Sequence, residues 1–182
     1  AVFSACKNVD AVCHVGALSA PWGKRESFFG INLQGTQHII EACRSQKVRR
    51  LVHVSSPAVV FDGSDQFNIP DQMPYPARLT SLYALTKKMA EEAVLDAKSD
   101  LEVIVIRPKA VYGQGDTSLL PRLIDAAKAG RLPQIGDGLN RVDLTHVEDV
   151  VQALLLALEL PLPKTDFPVY TITGGENVLL WE

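Results

Sequence analysis

No stretch of this sequence is both long and apolar enough to span a bilayer. The longest apolar run, around Val150–Leu158, is interrupted by Gln152 and reads as a buried helix. Cysteine is scarce. Cys6, Cys13 and Cys43 are odd in number, widely spaced and without a C-x-x-C pair, which argues against a zinc site and against a disulfide framework. Their apolar settings fit reduced thiols, so a cytoplasmic location is expected. None of His14, His38, His53 and His146 has metal-ligand spacing, and no metal is expected. An excess of positive charge is also lacking: 18 Lys and Arg against 21 Asp and Glu leave a net charge of −3. The densest basic cluster, Lys47, Arg49 and Arg50, reads as a solvated helix end and not as a nucleic-acid track. There is no internal repeat and no complete G-x-G-x-x-G. Gly113-Gln-Gly115-Asp-Thr-Ser118 lacks its third glycine and stands too far beyond Pro108 to turn tightly out of a strand, so it is rejected as a dinucleotide fingerprint.

What is present is an α/β pattern. Short apolar runs at Ala11–Val15, Leu51–Val54, Glu102–Arg107 and Val169–Thr173 read as buried strands. Helices are expected over Glu26–Gln46, Ser81–Ala97 with Ser81 as cap, and Leu119–Ala129. A further helix opens on a capping box at Thr145–Glu148. Leu82, Leu85, Met89, Ala93 and Leu95 give the second of these an approximate apolar stripe. Residues 57–80, with four prolines, are irregular. Apolar strands alternating with long helices imply a parallel sheet covered on both faces. The first residue is not Met and no signal peptide is present, so the chain reads as an internal segment of a longer one.

Tyr83 and Lys87 stand at i and i+4, on one helix face. A free phenol, with a pKa near ~10, is a poor base at neutral pH. An adjacent ammonium favours the phenolate, and such a pair can give a proton to a carbonyl or take one from an alcohol. Ser55 and Ser56 end the second strand, where ligands bind in open α/β sheets. Taken singly, each feature has an ordinary structural reading: a surface lysine beside a tyrosine, strand-end serines bonded to loop backbone, and a core histidine at His14.

Taken in order, the segments resemble the extended short-chain dehydrogenases/reductases. Asp10-Ala-Val-Cys-His14-Val-Gly16-Ala17 is similar to D-x-V-x-H-x-A-A, with Gly16 for the first Ala. Asn32-Leu-Gln-Gly35-Thr36 matches N-V-x-G-T, and Tyr83–Lys87 is the Y-x-x-x-K motif. Arg107-Pro108-x-x-x-Tyr112-Gly113-x-Gly115-Asp116 resembles R-P-x-x-x-Y-G-x-G-D. The resemblance implies a Rossmann-type doubly wound parallel sheet lacking its first βαβ unit. Residues 1–115 would be the second half of the NAD(P)-binding domain and 116–182 part of a small substrate domain. It implies Tyr83 as proton donor or acceptor and Lys87 as the group that favours the phenolate and holds the nicotinamide ribose. Ser56, with Ser55 as alternative, would hydrogen-bond the substrate oxygen, because Pro57 stands at the family's usual hydroxyl. Asn32 would order backbone or water in a proton path. Gly16 and Ala17 would pass close to the dinucleotide, and Pro108 to Val111 would line the nicotinamide pocket. The cofactor is NAD or NADP, its selector lying before residue 1. The full protein would be a homodimer, and the segment alone inactive.

One stretch separates subgroups. Nucleotide-sugar epimerases and dehydratases carry R-D-[FY]-x-H-V-x-D, whose Arg reaches the nucleotide phosphates; Val142 stands there. Gly136-Asp-Gly-Leu-Asn140-Arg-Val142-Asp143-Leu-Thr145 is instead similar to the string of 3β-hydroxysteroid dehydrogenases, sterol-4α-carboxylate 3-dehydrogenases and 2-alkyl-3-oxoalkanoate reductases. This implies an apolar secondary alcohol or ketone as substrate. The rival readings are an epimerase or dehydratase on the same fold, and a non-catalytic dinucleotide-binding protein.

Overall fold

The computed structural model describes residues 1–117, 120–134, 136–162 and 165–181. The expected helix start at Leu119, Ser118 of the glycine-rich run and the terminal Glu182 lie outside the described residues. The chain forms two compact units: residues 1–107 with 154–171, and residues 108–153 with 172–182.

The first unit opens with α1 (Val2–Ala5) and β1 (Ala11–His14). Helix α2 (Arg25–Phe28) then passes through a π-helical stretch (Phe29–Gln34) into α3 (Gly35–Gln46), and β2 (Arg50–Val54) follows. Residues 57–80 are irregular apart from a 3₁₀ turn (Pro57–Val59). Beyond them come α4 (Leu82–Asp96) and β3 (Glu102–Pro108). Strands β1, β2 and β3 pair in parallel, in register Val12↔Leu51↔Val103 and His14↔His53↔Val105. β7 (Val169–Ile172) completes a four-stranded sheet in the order β1-β2-β3-β7. The mixed α/β architecture with a parallel sheet is the one the sequence implied.

Side chains alternate across a strand. Val12, Leu51, Val103 and Val105 therefore share one sheet face, where they pack with Cys6, Ile40, Cys43, Val94 and Ala97 from α1, α3 and α4. Several features depart from the sequence reading or refine it. β1 is not buried: as the outermost strand it is half-covered, and Cys13 is exposed. Arg50 is not solvated. It is 3% exposed and caps the end of α6 (Val147–Glu159), donating to the carbonyls of Ala157, Leu158 and Leu160 at 2.7–3.0 Å. Ala157 and Leu158 belong to the last turn of the helix and Leu160 follows it, so these carbonyls need a partner from outside the helix. The apolar stripe of α4 is only half-buried; its covered face carries Ala84, Thr86, Lys87, Ala90, Glu91 and Val94. The run 150–158 is helical, yet Val151, Leu155 and Leu156 are exposed beside buried Val150.

In the second unit, β4 (Val111–Tyr112) pairs in parallel with β6 (Thr145–His146). β5 (Arg141–Asp143) pairs antiparallel with β8 (Asn177–Leu179). α5 (Leu120–Lys128) lies between them in sequence. Thr145 does not cap α6: its hydroxyl donates to Ile172 from within β6. The turn is closed instead by His146 Nδ1, which accepts from Glu148 N at 3.4 Å. Among the described residues no helix is long and apolar enough to cross a membrane, and no group of three metal-ligating side chains occurs.

Candidate active site

Ser81 starts α4 as expected, its Oγ accepting from Ala84 N at 3.1 Å. The helix then presents Tyr83, half-buried, and one turn later Lys87, 2% exposed. Lys87 Nζ donates to the Val54 carbonyl at 2.7 Å and lies 3.4 Å from His53 Nε2. Burial brings the Lys87 pKa down to about 8, opposed in part by the charge of Glu91. An ammonium carries three donors, and two of them face β2. The cationic group is thus fixed at the carboxyl end of a parallel strand, where ligands bind in open α/β sheets.

Beside it lies a row in which sequence reasoning weighed His14 only as a core residue and passed over His53. His14 and His53 are Cα partners in register, with ring centroids 5.1 Å apart. His14 Nε2 is 2.9 Å from Thr36 Oγ1. Burial, then the charge of Lys87, lowers the His14 pKa to about 4. The same two causes, with His14 as a third, hold His53 well below the usual imidazole range. The one sequence signal for His53 is a polar ring inside an otherwise apolar strand. Ser55 continues the ladder, its N–H donating to Ile106 O at 2.7 Å, and its Oγ is buried without a partner. Ser56 is half-buried and caps the 3₁₀ turn by accepting from Ala58 N at 3.2 Å. That bond uses a lone pair and leaves the hydroxyl proton to donate.

Asn32 sits in the π-helical stretch, 1% exposed. Widened turns of this kind often mark functional positions. Its Oδ1 accepts from Leu18 N at 2.7 Å, and its Nδ2 donates to Leu18 O at 3.2 Å and to Thr86 Oγ1 at 3.0 Å. Its carbonyl accepts from Thr36 Oγ1 at 2.7 Å. Thr86 Oγ1 in turn lies 2.9 and 3.2 Å from the carbonyls of Leu82 and Tyr83. Asn32 therefore ties the loop after β1 to the turn of α4 that carries Tyr83. Thr86, an unassigned position within Y-x-x-x-K, completes the tie. Gly16 and Ala17 lie exposed on that loop. A Cβ on Gly16 would meet only His14 Cε1 at 3.8 Å, so the family's alanine would fit.

Behind α4, Glu91 and Arg107 form an ion pair that is at most 1% exposed on either side. Tyr75 donates to Glu91 Oε1 at 2.8 Å, and Arg107 donates to Asp71 O at 3.1 Å. The arginine of R-P-x-x-x-Y-G thus anchors the irregular loop. In the second unit Pro108 closes β3 and Val111 begins β4. Gly113, at φ +134°, leaves a Cβ only 2.7 Å from Val147 Cγ1, so the close approach of that chain requires glycine. Arg141 is exposed and donates to Asn177 O and Oδ1 at 3.1 and 3.2 Å, while Lys109 pairs with Asp143.

Comparison with known proteins supplies the rest. The model of the 3-beta hydroxysteroid dehydrogenase/isomerase family matches residues 1–169. A 2-alkyl-3-oxoalkanoate reductase of Stenotrophomonas maltophilia is 38% identical over the whole chain and 57% of its own length. The mouse sterol-4-alpha-carboxylate 3-dehydrogenase, decarboxylating, is 39% identical over 99% of the chain and 51% of its own length. Among solved structures, MoeE5 in complex with UDP-glucuronic acid and NAD superposes with a TM-score of 0.79 at 31% identity. It covers 97% of this chain and 60% of its own. The chain spans about half the length of the curated relatives it matches.

Proposed function

The chain belongs to the 3-beta hydroxysteroid dehydrogenase/isomerase family, and on that premise we propose that the whole protein interconverts a secondary alcohol and a ketone on a largely apolar substrate. The observation that carries this reading is the buried Lys87 ammonium, fixed at the end of β2 one helical turn from Tyr83. NAD or NADP, when bound, supplies the hydride chemistry. Tyr83 gives its proton to the substrate oxygen in reduction and takes one in oxidation. Lys87 favours the phenolate by its charge and offers its remaining donor to a ribose hydroxyl. Ser56, or Ser55 beneath it, donates to the substrate oxygen and steadies developing charge. Asn32 acts from behind, holding the Gly16–Ala17 loop and the Tyr83 turn in register. Keeping all these groups would be without purpose in a non-catalytic dinucleotide binder.

The choice of substrate rests on charge. The MoeE5 structure holds a UDP-sugar, and a nucleotide sugar brings two phosphates that are costly to bury without cationic partners. Val142 offers none, and the neighbouring Arg141 is engaged with Asn177. Arg122 and Arg131, both exposed, leave room for a substrate carboxylate. In a panel assay on the full-length protein, following reduced nicotinamide with both cofactors, turnover is expected with hydroxysteroids or 3-oxo acyl compounds. Turnover confined to UDP- or dTDP-sugars would transfer the chain to the epimerase reading.

We also propose a homodimer built on α3 and α4. Ile31 is exposed ahead of α3, and Leu82, Leu85 and Met89 form a half-exposed apolar stripe on α4. Such a stripe is stabilised by burial against a second copy. Sedimentation of the full-length protein at micromolar concentration should give a dimer; a monomer at every concentration tested would contradict this.

A further inference from the structure

We propose that His53 is a positioning residue for Lys87: a neutral imidazole whose Nε2 accepts from the ammonium and, with the Val54 carbonyl, fixes it against β2. The inference rests on the Tyr83–Lys87 reading above. The geometry is an Nζ–Nε2 separation of 3.4 Å, with His53 wholly buried on the sheet face it shares with apolar Leu51 and Val105. A polar ring there is costly, because its Nδ1 has no partner. An apolar side chain of the same size would remove that cost. The contact with Lys87 is the interaction that offsets it.

The arrangement works only if His53 is neutral, since an imidazolium has no acceptor. Its surroundings keep it so. β1 sets His14 beside it, and α4 sets Lys87 over it, with Glu91 one turn on and paired to Arg107 of β3. Desolvation and the nearby ammonium both disfavour a charge on either ring. Because an ammonium can only donate, Nε2 facing Lys87 is the acceptor in this arrangement and the ring proton is assigned to Nδ1. This acceptor stabilises the charged form of Lys87 in a place where burial opposes it. Without it the ammonium is lost more readily, the phenolate of Tyr83 is less favoured, and alcohol oxidation needs a higher pH to begin.

The test compares His53→Gln, whose Oε1 can replace Nε2 as acceptor, with His53→Met, of similar length and with only a weak thioether acceptor. Both are made in the full-length protein and assayed for alcohol oxidation at saturating cofactor across acid to alkaline pH. The rising limb of kcat should move up by about one pH unit in His53→Met, the scale of one lost hydrogen bond to a charged group. It should stay near the wild-type position in His53→Gln, with KM for the alcohol changed little in both. Should His53→Met fail to fold, His53→Phe, closer in shape to the ring, takes its place. A profile of the apolar variant superimposable on wild type overturns the proposal. So does a displacement in His53→Gln equal to that of the apolar variant, which would mark a packing role. Tyr83→Phe is run in parallel. If it keeps wild-type turnover, the Tyr–Lys reading itself fails, whatever the His53 variants do.

Discussion

Replacing Tyr83 by phenylalanine in the full-length protein is expected to lower turnover by about 10²–10⁴-fold, the range over which a positioned acid or base contributes. Folding and dinucleotide binding should be nearly unchanged. The ring is half-buried at the start of α4, and no hydrogen bond to its hydroxyl forms among the described residues, so deleting the oxygen leaves no broken network. The helix start is held separately by the Ser81 cap, and its second turn by Thr86 and Asn32. The loss should fall on kcat more than on KM, because the proton moves in the transition state. Steady-state kinetics together with a fluorescence titration of the reduced nicotinamide separates the two. Turnover within about threefold of wild type would remove Tyr83 from the chemistry.

The second large effect concerns stability. Glu91→Gln and Arg107→Met, made singly, should each destabilise the protein by about 3–5 kcal/mol, because each strands a charge or a strong donor in a dry interior. In Glu91→Gln, Arg107 would keep the Asp71 carbonyl but face a neutral amide in place of the carboxylate, and Tyr75 would lose its carboxylate acceptor. The loop of residues 57–80 has few other anchors; Asp71 also accepts from Thr171 N at 2.7 Å. The double variant Glu91→Leu with Arg107→Met should be more stable than either single one, since removing both charges also removes their desolvation. Denaturant unfolding of the four proteins compares their stabilities. Single variants within about 1 kcal/mol of wild type would show the pair to be dispensable.

Much of this was legible in the sequence for specific reasons. β3 holds the continuous β-branched run Val103–Ile106, β2 is a short and mostly apolar run, and α4 has a serine cap, so strands in a parallel sheet with a helix between them follow from pattern. The i,i+4 spacing put Tyr83 and Lys87 on one face, and the ordered motifs gave the spacing its meaning. Other features depend on partners distant in sequence. Arg50 reads as surface charge because nothing near it shows that the end of α6, a hundred residues on, needs a cap. Thr145 and Glu148 fit a capping box, but the chain before α6 is drawn into β6 and the cap moves to His146. The apolar stripe of α4 is half-buried, with Ala93 and Leu95 against the core, but pattern does not show that the most covered face also carries Lys87, Thr86 and Glu91, each held by a partner distant in sequence. His53 was passed over because a strand histidine alone says nothing of what lies above it.

The measurement that bears most directly on the account uses the full-length protein, a 3-oxo acyl or 3-oxosteroid substrate, and reduced nicotinamide cofactor deuterated at the transferable position. If Tyr83 and Lys87 serve a net oxidoreductase, one deuterium is found at the carbinol carbon of an isolable alcohol, with one oxidised nicotinamide formed for each molecule of product. Product formed from a sugar nucleotide without net change in the nicotinamide, together with no deuterated alcohol from any apolar ketone, would contradict it.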